Sequence, residues 1–148
     1  MIQAVILAGG LGTRLRSVSG GVPKPMIEVA GKPFLFHLIK MLIRNGFNDF
    51  LFLLGNRSEV AVEFLRRFPS EGIDKESSIE KEPMGTAGAL KNAGGLVKDC
   101  GVLINGDSYL DMDYRGFVAA FEKSGYNAFL AVYDNREDTN VLKNVAVS

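Results

Sequence analysis

The sequence holds a single cysteine, Cys100, so no internal disulfide can form, and no second thiol stands beside it to make a metal-binding pair. The residues after it, Gly101-Val-Leu-Ile104, are mostly apolar, which predicts a buried thiol and suits a reducing cytoplasm. Charge of one sign is not in excess: 17 Lys plus Arg balance 17 Asp plus Glu. A nucleic-acid partner is excluded on that ground, because such binders carry a basic surplus. Long apolar runs are missing too. Phe50 to Leu54 is far too short to span a bilayer, and Ala4 to Ala8 begins almost at Met1 with no basic stretch before it, so neither a membrane span nor a secretory signal is expected. There is one histidine, His37, set among Phe36, Leu38 and Ile39 of a helical pattern, and it reads as structural. Repeats, low-complexity segments and linkers are absent.

What is present suits one α/β domain. The chain has 148 residues, and 47% are apolar, enough for a real core. Strands are predicted at 2–8, 49–54, 77–80, 101–105 and 127–133, with the loosely alternating 141–148 resembling the start of another. Helices are predicted at 33–45, stopped by Gly46; from an N-cap at Ser58 to Arg67, ended by Pro69; at 86–93; and from a cap at Asp113 to Lys123. Apolar strands alternating with helices imply a three-layer, Rossmann-like fold, with a mostly parallel sheet and helices on both faces. Ligands of such sheets sit at the carboxyl ends of the strands.

The chemically suggestive residues follow strands in that manner. Leu7-Ala-Gly-Gly-Leu-Gly-Thr-Arg-Leu15 comes directly after the first. Glycines let backbone N–H groups approach an anion, Thr13 adds a hydroxyl, and Arg14 adds a planar cationic fork suited to phosphate. The segment lacks the Gly-Lys-Ser/Thr ending of a Walker loop and the third glycine of the dinucleotide fingerprint, which argues against a dinucleotide-dependent oxidoreductase. By itself it is either an anion cradle or a flexible turn. In Val22-Pro-Lys-Pro-Met26, prolines on both sides limit where Lys24 can point, so it is either a fixed ammonium for a phosphate or a solvated surface lysine.

Together these segments, with Gly31-Lys-Pro33, Glu82-Pro-Met-Gly-Thr-Ala-Gly88 and Leu103-Ile-Asn-Gly-Asp-Ser108, closely resemble the sugar-1-phosphate nucleotidylyltransferases over nearly the whole chain. Within that family the look is nearest to bacterial guanylyltransferases acting on mannose 1-phosphate or D-glycero-D-manno-heptose 1-phosphate. The resemblance implies the nucleotide-diphospho-sugar transferase-like fold. It implies a triphosphate cradle at Leu7, Ala8, Gly9, Gly10, Gly12 and Thr13, with Arg14 on the departing pyrophosphate. It implies Lys24 at the reacting phosphates, Gly85 and Thr86 near base and ribose, and Asp107 as the ligand of Mg2+. A nucleoside triphosphate, GTP favoured, and a sugar 1-phosphate are then the expected partners. The cysteine usage fits a cytoplasmic protein, and the apolar Phe129, Leu130 and Val132 of the 127–133 strand, if uncovered, lead to the expectation of a homo-oligomer. Physically, the attacking sugar phosphate is already ionised, so catalysis needs positioning and neutralised charge rather than a strong base.

Glu80 bears on the base. It stands three before Pro83, where thymidylyl relatives usually show glutamine. A carboxylate offers acceptors only, matching the two adjacent donors of guanine, whereas an amide suits uracil or thymine. Glu82 is the alternative, and both are solvated acids on the bland reading; UTP or dTTP is the competing specificity. Relatives of this kind continue well beyond 148 residues, and the resemblance puts most sugar-binding residues and a second metal-binding aspartate in that further part; Asp111, Asp113 and Asp134 do not match it. Residues 1–148 are therefore expected to be the nucleotide-binding part of a longer domain. The competing expectation is an inactive nucleotide-binding or structural remnant.

Overall fold

The computed structural model describes residues 2–10, 21–55 and 57–132. The chain divides into two compact units, Met1–Met112 and Asp113–Ser148.

The first unit is built on a four-stranded parallel sheet of β1 (Gln3–Leu7), β4 (Asp49–Leu54), β5 (Asp74–Ile79) and β6 (Gly101–Asn105), in the order β5-β4-β1-β6. Between β1 and β4 come a 3-10 turn (Lys24–Met26), a small hairpin of β2 (Glu28–Val29) and β3 (Lys32–Pro33), and helix α1 (Phe34–Arg44). Helices α2 (Ser58–Arg67) and α3 (Gly85–Ala93) connect β4 to β5 and β5 to β6. The hairpin turns on Ala30 and Gly31, both at positive φ (50° and 74°), as a two-residue turn with right-handed twist requires. Its strands are too short to leave a periodic signal, and the sequence pattern does not reveal it.

Parallel connections cross right-handed. The chain steps one way from β1 to β4 to β5, then back past β1 to β6, so α1 and α2 fall on one face and α3 on the other. Side chains agree. Ala4, Phe50 and Lys75 share one row of the sheet, and Lys75 Nζ reaches the carbonyl of Leu65 in α2 at 2.8 Å. Val5 and Leu51 are one residue along in register and so face the other way; they pack with Leu53, Ala89, Leu90 and Ala93, the last three of these in α3. The fold is thus α/β and Rossmann-like, with β1 and β4 buried throughout or nearly so. α1 presents Leu35, Leu38, Ile39, Met41 and Leu42 to the core, and ends where Gly46 takes φ 91° and donates its N–H to Ile43.

One polar cluster lies inside the amino ends of the strands. The fully buried Gln3 donates from Nε2 to Leu96 O (3.1 Å) and accepts from Lys98 N (3.1 Å), and Lys98 pairs with Asp49. Every polar group of Gln3 is thereby satisfied, as burial demands. The Asp49 hydrogen bond pushes Lys98 up, while burial pulls Lys75 down. Both lysines support the scaffold.

The second unit contains α4 (Tyr114–Ser124), capped by Asp113, whose Oδ1 accepts from Gly116 N at 2.9 Å. The strand expected at 127–133 is not there: 127–132 form none, and Tyr133 lies outside the described residues. Phe129 instead lies against Phe117 and Phe121 of α4, with ring centroids 5.4 and 6.4 Å apart, and none of the described strands pairs with this segment. The expectation for 141–148 also falls outside the described residues. Two further corrections are local. Cys100 is half-buried rather than buried, in the bend before β6, and the cap of α2 is Arg57 rather than Ser58. Among the described residues, no helix is long and apolar enough to cross a membrane.

Candidate active site

A cleft of about 430 Å³ opens across the carboxyl ends of the strands, on both sides of β1, where the strand order reverses. Leu7 at the end of β1 and Ala8, Gly9 and Gly10 beyond it line the cleft, with Glu80 after β5, Asn105 at the end of β6 and Asp107 beyond it. Pro83, Gly85, Thr86 and Ala89 form one wall, and Lys24 and Pro25 another. Of the residues singled out from sequence, Leu7, Ala8, Gly9, Gly10, Lys24, Glu80, Gly85, Thr86 and Asp107 meet here. Gly12, Thr13 and Arg14 lie outside the described residues.

Backbone hydrogen bonds hold the floor together. Ala8 N–H donates to Leu53 O, Glu80 N–H to Leu54 O and Gly106 N–H to Leu7 O, at 2.8–2.9 Å. Glycine is obligatory at the seam. A Cβ on Gly106 would lie 2.7 Å from Leu7 O, and one on Gly55 would lie 2.7 Å from Gly9 O. These approaches bring Asp107 and Glu80 close to the turn that follows β1.

Lys24 is presented by its 3-10 turn, which buries Pro25 and Met26 and fixes the backbone beneath the ammonium. Its Nζ donates to Asp107 Oδ2 at 3.2 Å. A half-exposed pair of this kind adds little stability. Its interest lies in bringing a cation and a carboxylate from opposite ends of the first unit to one point. Among the described residues, no group of three or more His, Cys, Asp and Glu could hold a metal. A lone carboxylate fits magnesium that arrives on a polyphosphate, where most ligands are phosphate oxygens and water. It does not fit an ion held by protein alone.

Glu80 is half-buried across the glycine seam. Its Oε2 accepts from Met84 N at 3.3 Å, tying down the loop 81–84, and Oε1 lies 2.9 Å from where a Cβ on Gly9 or Gly55 would stand. Glu82 is exposed and takes no part in the lining. Pro25, Leu53, Pro83, Ala89 and Asn105 also line the cleft without having been singled out from sequence. Asn105 carries the one readable signal, as the last residue of an apolar strand beside Gly106-Asp107. His37 pairs its Nε2 with Val29 O at 2.8 Å and plays no part in the cleft.

A family model described as nucleotidyl transferase matches residues 3–140. The chain is 41% identical over 114 residues to a D-glycero-alpha-D-manno-heptose 1-phosphate guanylyltransferase of Campylobacter jejuni, covering 76% of this chain and 50% of that protein. It is 36% identical over 135 residues to a mannose-1-phosphate guanyltransferase of Gibberella zeae, covering 88% of this chain and 37% of that one. Among solved structures, HddC from Yersinia pseudotuberculosis complexed with GMP-PN matches with a TM-score of 0.73 and 40% identity, over 81% of this chain and 54% of that one. The chain therefore spans about half the length, or less, of these relatives.

Proposed function

Because this chain belongs to the nucleotidyl transferase family, we propose that it is the nucleotide-binding part of an enzyme that transfers a nucleotidyl unit from GTP to a sugar 1-phosphate, releasing pyrophosphate. The observation that carries this reading is the convergence of Gly9, Gly10, Lys24, Glu80, Gly85 and Asp107 on one cleft at the strand ends. In this reading Lys24 neutralises the phosphates between which the new bond forms, and Asp107 holds the triphosphate's magnesium. The metal, when bound, offsets charge on the phosphate oxygens. Arg14 is assigned to the leaving pyrophosphate on the family resemblance alone. Leu7, Ala8, Gly9, Gly10, Gly12 and Thr13 are assigned to the cradle. Gly85 and Thr86 go to base and ribose, and Glu80 to the two donors on the guanine edge.

The reading is tested on a polypeptide of the relatives' full length, by pyrophosphate release from GTP with a panel of sugar 1-phosphates. Release that depends on both substrates is the expected result. GTP binding without release from any sugar phosphate would favour the second reading, a nucleotide-binding protein without turnover.

Self-association belongs to the same proposal. Among the described strands, β6 pairs with β1 alone, and its Leu103 is 44% exposed. Phe129, Leu130 and Val132 are exposed as well. Open strand edges and apolar surface favour association. Light scattering at micromolar concentration should show dimers or larger species, and a strict monomer would contradict this.

A further inference from the structure

Strand register lays one row of side chains across the carboxyl end of the sheet. Ser78 pairs with Leu53, Leu53 with Leu7 and Leu7 with Asn105, so the four share one face. That face is the one covered by α3. Ser78 Oγ accepts from Asn92 of α3 at 3.0 Å, and Leu7 and Leu53 belong to the core cluster that takes in Ala89 and Ala93 of the same helix. Asn105 closes the row at β6. It is exposed and lines the cleft, and among the described residues its side chain makes no hydrogen bond. Its amide is left with both donor and acceptor free.

The two polar side chains at this end of β6 serve opposite faces. Asp107 reaches Lys24, whose turn packs on α1 and α2, so the carboxylate works on the face away from α3. Asn105 stays on the α3 face, with Gly85 and Thr86 of the cleft wall. In the proposed reading the base meets Glu80 beyond β5, and the phosphates meet Lys24 and Asp107. The ribose joins the two, so it crosses the apolar Leu53–Leu7 stretch of the row toward β6. From the end of β5 to the end of β6 is three strand spacings, about 14 Å, the scale of a nucleoside and the side chains that hold its ends. Asn105 then stands beside the ribose. A neutral amide brings no charge to a phosphate, which Lys24 serves better, whereas its acceptor and donor match two adjacent hydroxyls. We infer that Asn105 hydrogen-bonds the ribose diol and makes the cleft select ribonucleotides over deoxyribonucleotides. This rests on the nucleotide reading of the cleft.

The test compares binding of GTP and its 2′,3′-dideoxy analogue, with magnesium, to wild type, Asn105→Ala and Asn105→Leu. Leucine keeps the bulk of the amide and removes both hydrogen-bonding groups, and melting temperatures check that the variants fold. Wild type should bind GTP about three- to tenfold more tightly than the analogue, the size of a neutral hydrogen bond. Both variants should lose that factor for GTP and change analogue affinity by less than about twofold. Wild type without a preference, a preference intact in both variants, or parallel loss of both nucleotides in both variants would overturn the assignment. Wild type that binds neither nucleotide would refute the nucleotide reading of the cleft, and this assignment with it.

Discussion

Replacing Asp107 with alanine is expected to abolish the enhancement of GTP binding by magnesium. The cleft lining contains two carboxylates, Glu80 and Asp107. Glu80 is engaged with the 81–84 loop through Met84, while Asp107, two residues beyond β6, has a side chain 43% exposed and paired with Lys24. On the proposed reading Asp107, not Glu80, holds the metal on the triphosphate. Loss of one charged ligand should cost roughly 10- to 100-fold in the magnesium-dependent part of the affinity. Asp107→Ala also frees Lys24 from its 3.2 Å partner, so binding without magnesium should hold or strengthen slightly. The check is calorimetric titration of GTP into both proteins, with magnesium and with a chelator. Equal enhancement in the two would remove Asp107 from the metal site. Asp107→Asn separates shape from charge, and should resemble alanine in its magnesium response.

Replacing Glu80 with glutamine should narrow the preference for GTP over UTP and dTTP by about 1–3 kcal/mol, the value of a charge-assisted hydrogen bond. The direction follows from the geometry. Oε2 accepts from Met84 N–H, and a glutamine can keep that bond with its carbonyl oxygen. Its amide nitrogen would then stand where Oε1 is, against the Gly9 and Gly55 seam. A donor there meets the donors of guanine and suits a uracil or thymine carbonyl. Because the loop bond survives, thermal stability should change little, so altered specificity can be told from unfolding. A variant with the wild-type preference intact would take Glu80 out of base recognition.

Much of the fold was legible because its buried parts carry strong periodic or continuous patterns. β1, β4 and α1 are read from unbroken apolar runs or a clean helical stripe, and Gly46 and Asp113 mark helix ends as their types suggest. The gathering of the candidate residues was legible for a related reason. Parallel sheets bring strand ends to one edge, so Gly9, Glu80 and Asp107 converge although they are far apart in sequence. Where the sequence was silent, burial was weak or local. β5 begins at Asp74 rather than Ser77, but its residues Asp-Lys-Glu-Ser-Ser-Ile sit at a sheet edge and alternate nothing apolar. The 127–132 segment has a strand's composition, yet strand propensity depends on cross-strand packing, and among the described residues no strand pairs with it. Buried Gln3 is hidden inside an apolar run and becomes meaningful only once Leu96 and Lys98 are seen beside it.

Whether the cleft is built for a guanine nucleotide and its magnesium is decided by titrating GTP, UTP and dTTP in parallel into this chain, each with and without magnesium. GTP should bind most tightly, and magnesium should strengthen its binding. Binding of none of the three, or tighter binding of UTP or dTTP than of GTP, would contradict a guanine site.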